Sequence, residues 1–143
     1  MHELQMPPIS MTEISKAHRI LKNHHRPTPL RRVESLCRCL DAEIHVKMEN
    51  LNPTGTFKIR GGLNLMHHLK EAGIRGVITY STGNHGTSIA TAARHFGLEA
   101  VIVVPEGSNP IKLELIRRAG AELIVHGANF EEAGRRVQEL VQE

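Results

Sequence analysis

Apolar positions along the chain recur with two different spacings, which predict helices and strands in alternation. Residues 43–49 alternate between apolar and polar, the period of a half-buried strand. Beyond them, short apolar runs alternate with helical patterns of about ten to fifteen residues. The predicted strands are 43–49, 76–80, 100–104 and 122–126, and the predicted helices are 57–71, 85–96, 110–119 and one that begins at about residue 130. This alternation predicts an α/β fold with an open parallel sheet and helices on both faces.

The first 42 residues lack this alternation and are predicted to be a helical segment. Ser10 and Glu13 have the spacing of a capping box, which begins a helix. Pro27 and Pro29 end that helix because proline blocks its continuation. A second, short helix is predicted over residues 33–40. We therefore divide the chain into an N-terminal helical segment, residues 1–42, and an α/β domain, residues 43–143.

The loops that follow parallel strands are the predicted ligand-binding edge, because right-handed crossovers bring them to one side of the sheet. Three loops are predicted there, at 50–56, 81–84 and 105–109. The first leads to Lys58 at the start of a helix. The second leads to the next helix, whose free amide groups make an anion cradle. An amine and an anion cradle at one edge suit Schiff-base chemistry, in which the amine binds an aldehyde cofactor and the cradle binds a substrate carboxylate.

Each of the two features also has an ordinary structural explanation. Lys58 can be a surface lysine whose aliphatic stem covers an amphipathic helix. Alternatively, it lies in a partly apolar pocket that favours the neutral, nucleophilic amine. The loop that begins at Ser81 can likewise be a tight turn and helix cap with no ligand. Neither motif decides the question alone.

Three stretches carry a family resemblance: ENLNPTGTFKIRGG at 49–62, STGNHG at 81–86, and the segment from VIVVPEG to FEEA at 101–133. From about residue 28 to 139 the chain resembles pyridoxal-phosphate-dependent enzymes of the tryptophan-synthase-β fold type, and in particular the threonine/serine dehydratase and serine racemase group. The resemblance implies that the α/β domain corresponds to the smaller N-terminal domain of a two-domain fold. It also implies pyridoxal 5'-phosphate as cofactor and a small amino acid as substrate, and it allows a homodimer.

The resemblance assigns roles to residues of both motifs. It implies that Lys58 forms the Schiff base and moves the α-proton, that Phe57 packs near the cofactor ring, and that Asn84 hydrogen-bonds the phenolic oxygen of that ring. The implied cradle for the substrate carboxylate is formed by Ser81, Thr82, Gly83, Asn84 and His85. Thr82 is also a candidate catalytic residue, because serine racemases carry an acid/base serine there, whereas many dehydratases have alanine. Thr56 stands where the family commonly has Ser or Ala.

The implied reaction is β-elimination from L-threonine or L-serine, which yields a 2-oxo acid and ammonia. Serine racemization and cysteine-synthase-like β-replacement remain alternatives. The family's glycine-rich phosphate loop has no counterpart after His85, where glycines stand singly. We therefore expect the chain to be the N-terminal part of such an enzyme, with little activity alone. An inactive fragment or a binding module is the alternative from another class.

Composition and the remaining motifs exclude other functions. The net charge is +3, but basic and acidic residues are interleaved and aromatic residues make up only 3%, so we expect no nucleic-acid binding. No segment approaches the ~18 apolar residues of a membrane span, and residues 1–10 do not resemble a targeting peptide. We therefore expect neither membrane association nor export. A hydrolase that uses Ser81 and His85 is disfavoured because the G-x-S-x-G elbow is lacking.

The potential metal ligands are expected to play no metal-binding role. Cys37 and Cys39 form a lone C-x-C without a second pair at zinc spacing, which predicts reduced thiols and fits a cytoplasmic protein. The histidine pairs at 24–25 and 67–68 are adjacent in sequence, so neither has the i, i+4 spacing of two ligands on a helix. Surface histidines are expected instead.

Overall fold

The structure is a computed structural model that describes residues 9–142. Residues 1–8, the beginning of the predicted N-terminal segment, and residue 143 lie outside that range. The elements are α1 (Met11–His24), β1 (Leu30–Arg32), α2 (Glu34–Leu40), β2 (His45–Lys47), a 3-10 turn (Glu49–Leu51), α3 (Lys58–Glu71), β3 (Gly76–Tyr80), α4 (Asn84–Phe96), β4 (Glu99–Val104), α5 (Pro110–Arg118), β5 (Glu122–Val125) and α6 (Phe130–Leu140). The predicted helices and the last three predicted strands are confirmed.

Strands β3, β4 and β5 form a parallel sheet in that order. Ile102 of β4 faces α4, where a Cβ atom on Gly86 would come 3.0 Å from it. The next residue, Val103, points to the opposite face together with its register partner Tyr80. On that face the ring of Tyr80 lies 3.0 Å from the position of a Cβ atom on Gly134 of α6. The sheet is therefore covered on both faces, as predicted.

The strand predicted at 43–49 lies outside this sheet. It is reduced to β2, which pairs antiparallel with β1 in a separate two-stranded sheet, with Arg31 opposite Val46. Both outer residues of β2 are exposed and Val46 is only half-buried, whereas four of the six residues of β4, the central strand of the parallel sheet, are buried. The prediction that loop 50–56 follows a strand of the parallel sheet is wrong.

Helix α3 lies beside α4 and runs in the same direction. Gly62, the fifth residue of α3, lies so close to α4 that a Cβ atom on it would come 3.0 Å from the carbonyl oxygen of Ser88, the fifth residue of α4. Further along, the rings of His67 and Phe96 are 5.9 Å apart. The first half of α3 thus contacts the first half of α4, and the second half contacts the second half. Helices α3 and α4 therefore begin at the same end of the molecule.

The hydrophobic core fills the space between the sheet and helices α3, α4 and α5. Its large buried side chains are Ile59, Leu63, Met66, Ile89, Leu98, Ile102, Val104 and Ile116. Helix α1 begins where the capping pattern predicts, since the Ser10 hydroxyl accepts a hydrogen bond from the Glu13 backbone N–H at 3.2 Å. None of the described helices has the length and apolar character needed to cross a membrane.

Candidate active site

The predicted site residues lie where α3 and α4 begin. Phe57 is the N-cap of α3 and Lys58 is its first residue. Residues 81–85 connect β3 to α4 and include its first two residues. The shared sheet edge predicted from the sequence does not bring the two motifs together, because β2 belongs to another sheet. They are neighbours because α3 and α4 pack side by side in parallel.

Lys58 is exposed at this end of the molecule. Its Nζ lies 5.4 Å from the centre of the Phe57 ring, and that ring is itself 59% exposed. The backbone N–H of Lys58 donates to the Thr56 hydroxyl at 3.0 Å, so Thr56 caps the first turn of α3. The described residues thus give Lys58 one apolar neighbour and leave its amine accessible to a ligand.

Ser81 shapes the loop between β3 and α4. Its side chain is buried, and its Oγ accepts hydrogen bonds from the backbone N–H groups of Gly86 at 2.9 Å and Gly83 at 3.2 Å. The absence of a side chain on Gly86 is required, because a Cβ atom there would lie 3.0 Å from Ile102 and 3.1 Å from Ser81. The Ser81 hydroxyl therefore points into the loop, and its hydrogen bonds to the backbone stabilise the conformation of the cradle.

Three backbone N–H groups at this loop are free to bind an anion. No acceptor within residues 9–142 engages the N–H groups of Thr82, Asn84 or His85, and the N-cap residue Gly83 has no side chain to do so. The positive end of the α4 dipole lies at the same place. The side chains of Thr82, Asn84 and His85 are exposed. The loop therefore has the donors that a carboxylate or phosphate group requires.

Electrostatics connect the lysine to this loop. The pKa of His85 is lowered, first by partial loss of water around the ring and second by the positive charge of Lys58. The ammonium group of Lys58 thus acts on the last residue of the cradle, although the His85 side chain remains exposed. An amine and free amide donors facing a common space fit an aldehyde cofactor and an amino-acid carboxylate.

A partly buried polar network near Lys58 was not predicted from the sequence. Arg60 donates from Nε and Nη2 to the two carboxylate oxygens of Glu49, at 2.9 and 2.8 Å. The Thr28 hydroxyl and the Asn52 amide also donate to Glu49, at 2.5 and 2.7 Å. These bonds lower the pKa of Glu49 to about 2, with Arg60 as the largest cause and Thr28 as the next. We call this group of four residues the Glu49 network.

The Glu49 network joins three separate segments of the chain. Thr28 follows α1, Glu49 begins the turn before the lysine motif, and Arg60 lies in the first turn of α3. Lys47 adds a further bond, from its Nζ to the Thr28 carbonyl oxygen at 2.5 Å. Glu49 and Arg60 are both part of ENLNPTGTFKIRGG, and the motif therefore contains both members of the ion pair. Opposite charges eleven positions apart, however, do not show that they meet.

The expectation of surface histidines is wrong for His24, His25 and His67, which are half-buried. The reason is that the end of α1 packs near α3 and α4, where the rings of His24 and His67 are 6.0 Å apart. No three His, Cys, Asp or Glu residues in the described part of the chain are arranged to hold a metal ion. Cys37 and Cys39 are both free thiols in α2.

Comparisons with known proteins identify the family of the chain. A family model described as pyridoxal-phosphate dependent enzyme matches residues 21–143. The L-threonine ammonia-lyase of Thermotoga maritima is 42% identical over 126 residues, which are 87% of this chain and 31% of that protein. The biosynthetic L-threonine dehydratase IlvA of Escherichia coli is 41% identical over 117 residues, 81% of this chain and 23% of that protein.

The fold is also that of a solved enzyme structure. Maize serine racemase matches with a TM-score of 0.89 and 26% identity over 95% of this chain and 42% of that one. The chain therefore spans less than half of each of these relatives.

Proposed function

The chain belongs to the family of pyridoxal-phosphate-dependent enzymes, and we propose that it supplies the lysine and the carboxylate cradle of a lyase acting on L-threonine or L-serine. The proposed reaction is β-elimination of the side-chain hydroxyl, followed by hydrolysis to a 2-oxo acid and ammonia. Relatives at 42 and 41% identity are an L-threonine ammonia-lyase and an L-threonine dehydratase, which supports this substrate class. Because the chain spans 31 and 23% of those proteins, the proposal concerns an enzyme that has a further part.

The residues of this chain have distinct roles in the proposed reaction. Bound pyridoxal phosphate supplies an electron sink for the electrons of a broken Cα bond. The Lys58 Nζ holds the cofactor and afterwards takes the proton from the substrate Cα. The free N–H groups of Thr82, Asn84 and His85 bind the carboxylate and so orient the Cα–H bond. By the family resemblance, Phe57 would contact the cofactor ring and the Asn84 side chain would bind its phenolic oxygen.

The observation that carries the proposal is that Lys58 and the cradle open onto the same space. The parallel packing of α3 on α4 puts both at one end, and the charge of Lys58 lowers the pKa of His85. The nearby Glu49 network holds the first turn of α3, where Lys58 lies.

Serine racemization is the second candidate. The exposed hydroxyl of Thr82 adjoins the cradle, and a serine racemase is among the structures with the same fold. A hydroxyl at this position can serve as an acid or base on the second face of a bound cofactor. Thr82 is stiffer than serine because it is β-branched, so we place elimination first.

Three finer predictions complete the proposal. We place the protein in the cytoplasm, where two free thiols such as Cys37 and Cys39 remain reduced. The division of the chain at residue 42 and assembly into a homodimer stay predictions from the sequence and from family resemblance.

The assignment of Lys58 is tested by incubating the chain with pyridoxal phosphate, adding borohydride and mapping the labelled peptides. Borohydride fixes the cofactor to the lysine with which it has condensed, and we expect the peptide that contains Lys58 to carry most of the label. Lys58→Ala should remove this label, whereas Lys70→Ala, an exposed position in the same helix, should leave it unchanged. Labelling spread evenly over the lysines would reject the assignment.

The reaction is tested by product analysis on the full-length protein. Release of a 2-oxo acid from L-threonine or L-serine supports the lyase. Interconversion of L- and D-serine without a 2-oxo acid selects racemization, and formation of cysteine from serine and sulfide selects β-replacement. If no product forms and Lys58 takes up no label, the chain is an inactive or binding module and the proposal fails.

A further inference from the structure

Three histidines from three helices meet at the end of the molecule remote from the candidate site. His24 is the last residue of α1, His67 lies in the second half of α3, and His95 lies near the end of α4. His24 Nδ1 is 3.0 Å from His95 Nε2, and the His24 and His67 ring centres are 6.0 Å apart. Phe96 packs beside them, 4.8 Å from the His24 ring centre. We call these four residues the histidine junction.

The contact between His24 and His95 exists only in some protonation states. Two ring nitrogens at 3.0 Å form a hydrogen bond when one carries a hydrogen and the other a lone pair. At least one of the two rings must therefore be neutral. If both rings are protonated, two N–H groups point at each other and two positive charges come within a few ångströms. Double protonation thus converts an attractive contact into a repulsive one.

At the end of α1 the helix dipole favours a protonated His24, but the groups that face its ring oppose the charge. The pKa of His24 is lowered first by loss of water, then by the charge of His95 on α4, and then by that of His67 on α3. His68 of α3 adds a fourth titratable ring, 5.5 Å from His67. Among residues 9–142 no carboxylate contributes to the pKa of His24. Each proton added here therefore meets positive neighbours.

The direction of the pH effect follows from this lowered pKa. Above the ordinary histidine value of 6.5, His24 is neutral whether α1 is docked or released, so docking carries no protonation cost. As the pH falls below that value, the released state takes up the proton first. The free energy that favours docking of α1 then decreases as the pH falls, until His24 is protonated in both the docked and the released state.

Helix α1 has little else to hold it. None of its residues is fully buried, and Leu21 is the residue of α1 that packs against the buried core. The fully buried residues of the core lie in the sheet, in α3, α4 and α5 and in the turns between them, and none of them lies in α1. Release of α1 can therefore occur without unfolding of the sheet, as a local opening of low cost.

We propose that the histidine junction is a pH-sensitive latch that holds the end of α1 on α3 and α4 at neutral pH and releases α1 under mildly acidic conditions. The latch uses none of the residues assigned to the proposed catalytic function, since His67 and His95 lie toward the opposite ends of α3 and α4. His24, His67 and His95 are not arranged to hold a metal ion in the described structure. The proposed release of α1 therefore depends on protonation of these histidines and not on loss of a metal.

Amide hydrogen exchange measured residue by residue at pH 7.5, 6.5 and 5.5 tests the latch in the intact chain. After correction for the intrinsic exchange rates, we expect α1 to lose protection several-fold between pH 7.5 and 5.5 while β4 keeps its protection. Unchanged protection of α1 over this range would overturn the proposal. Parallel losses in α1 and β4 would also overturn it, because they would indicate global unfolding.

Two variants separate the junction from other histidines. His95→Gln removes one titrating partner of His24 and should reduce the pH response of α1. His18→Gln changes an exposed histidine on α1 itself and should leave the response intact. If His95→Gln releases α1 at every pH, the proposal is tested in the wild-type chain by NMR titration of its histidine rings. His24 must then titrate at a lower pH than the histidines of the urea-unfolded chain. Equal midpoints would refute the latch.

Discussion

Replacement of Glu49 by glutamine tests whether the Glu49 network holds the segment around Lys58. The carboxylate accepts four hydrogen bonds from three residues, two of them from Arg60. Glutamine has nearly the same shape but carries no charge, and one of its two terminal groups is a donor. Glu49→Gln therefore leaves the guanidinium without its counter-charge and turns at least one of the hydrogen bonds into a contact between donors.

The magnitude follows from the lowered pKa of Glu49. A change from its ordinary value of 4.5 to about 2 corresponds to about 3 kcal/mol, at about 1.4 kcal/mol per pKa unit. Glu49 and Arg60 keep 20 and 29% of their side-chain surface exposed, so solvent screening reduces this figure. We expect Glu49→Gln to lower the free energy of unfolding by about 2 kcal/mol at pH 7, which lies between the cost of losing an exposed ion pair and that of breaking a buried one.

Urea denaturation at several pH values measures this effect. Because the folded-state pKa is lowered, the contribution of Glu49 is complete above pH 4.5 and is lost as the pH falls toward 2. The difference between wild type and Glu49→Gln should therefore shrink over that interval, at an unchanged denaturant slope. Glu114→Gln is the matched control, since its ion pair with Arg118 has the same 2.8 Å distance but exposed side chains. It should cost less than about 0.5 kcal/mol. Equal effects of the two substitutions would refute the reasoning.

Three further substitutions test the packing that places the site. Gly62→Ala should destabilise the chain by about 1–3 kcal/mol in urea denaturation, because the new Cβ would lie 3.0 Å from the Ser88 carbonyl oxygen. Gly61→Ala is its control: the new Cβ meets no atom within 4 Å, so the substitution should be neutral or stabilising. Ser81→Ala should cost about 1–2 kcal/mol, since it leaves two loop N–H groups without their acceptor, and it should weaken labelling of the lysine by pyridoxal phosphate. Ile102→Ala, at a fully buried position, should cost about 2–5 kcal/mol in the same denaturation assay.

The sequence pattern was sufficient to predict the three strands of the parallel sheet. Residues 100–104 of β4 form a short, continuous apolar run rich in valine and isoleucine, which favours a buried strand, and the last three of them are fully buried. Glycine and proline mark the ends of the helices: Gly97 ends α4 in a left-handed conformation with φ of 68°, and Pro110 begins α5. Local chemistry and burial point to the same elements here, so a single sequence is enough.

Pairing between distant segments could not be predicted in the same way. The alternation at 43–49 indicates a strand but contains nothing that selects its partner, and β2 pairs with β1. The approach of Glu49 to Arg60 likewise depends on the turn between them. The contact between His24 and His67 was not predicted, because the two residues are far apart in the sequence and approach each other only after α1 packs near α3. Each error concerns contacts between segments, which periodicity within one segment does not determine.

The lysine motif makes physical sense once these contacts are known. Two positions after Lys58, Arg60 ties the first turn of α3 to Glu49, and four positions after it, Gly62 lets α3 approach the backbone of α4 at Ser88. Together they fix where α3 begins relative to α4, and thereby where the amine stands relative to the cradle. The paired glycines are not equivalent, since a side chain at the first would meet open space. The spacing of the motif therefore determines where Lys58 lies, through the ion pair of Arg60 with Glu49 and the close approach of the α3 and α4 backbones at Gly62.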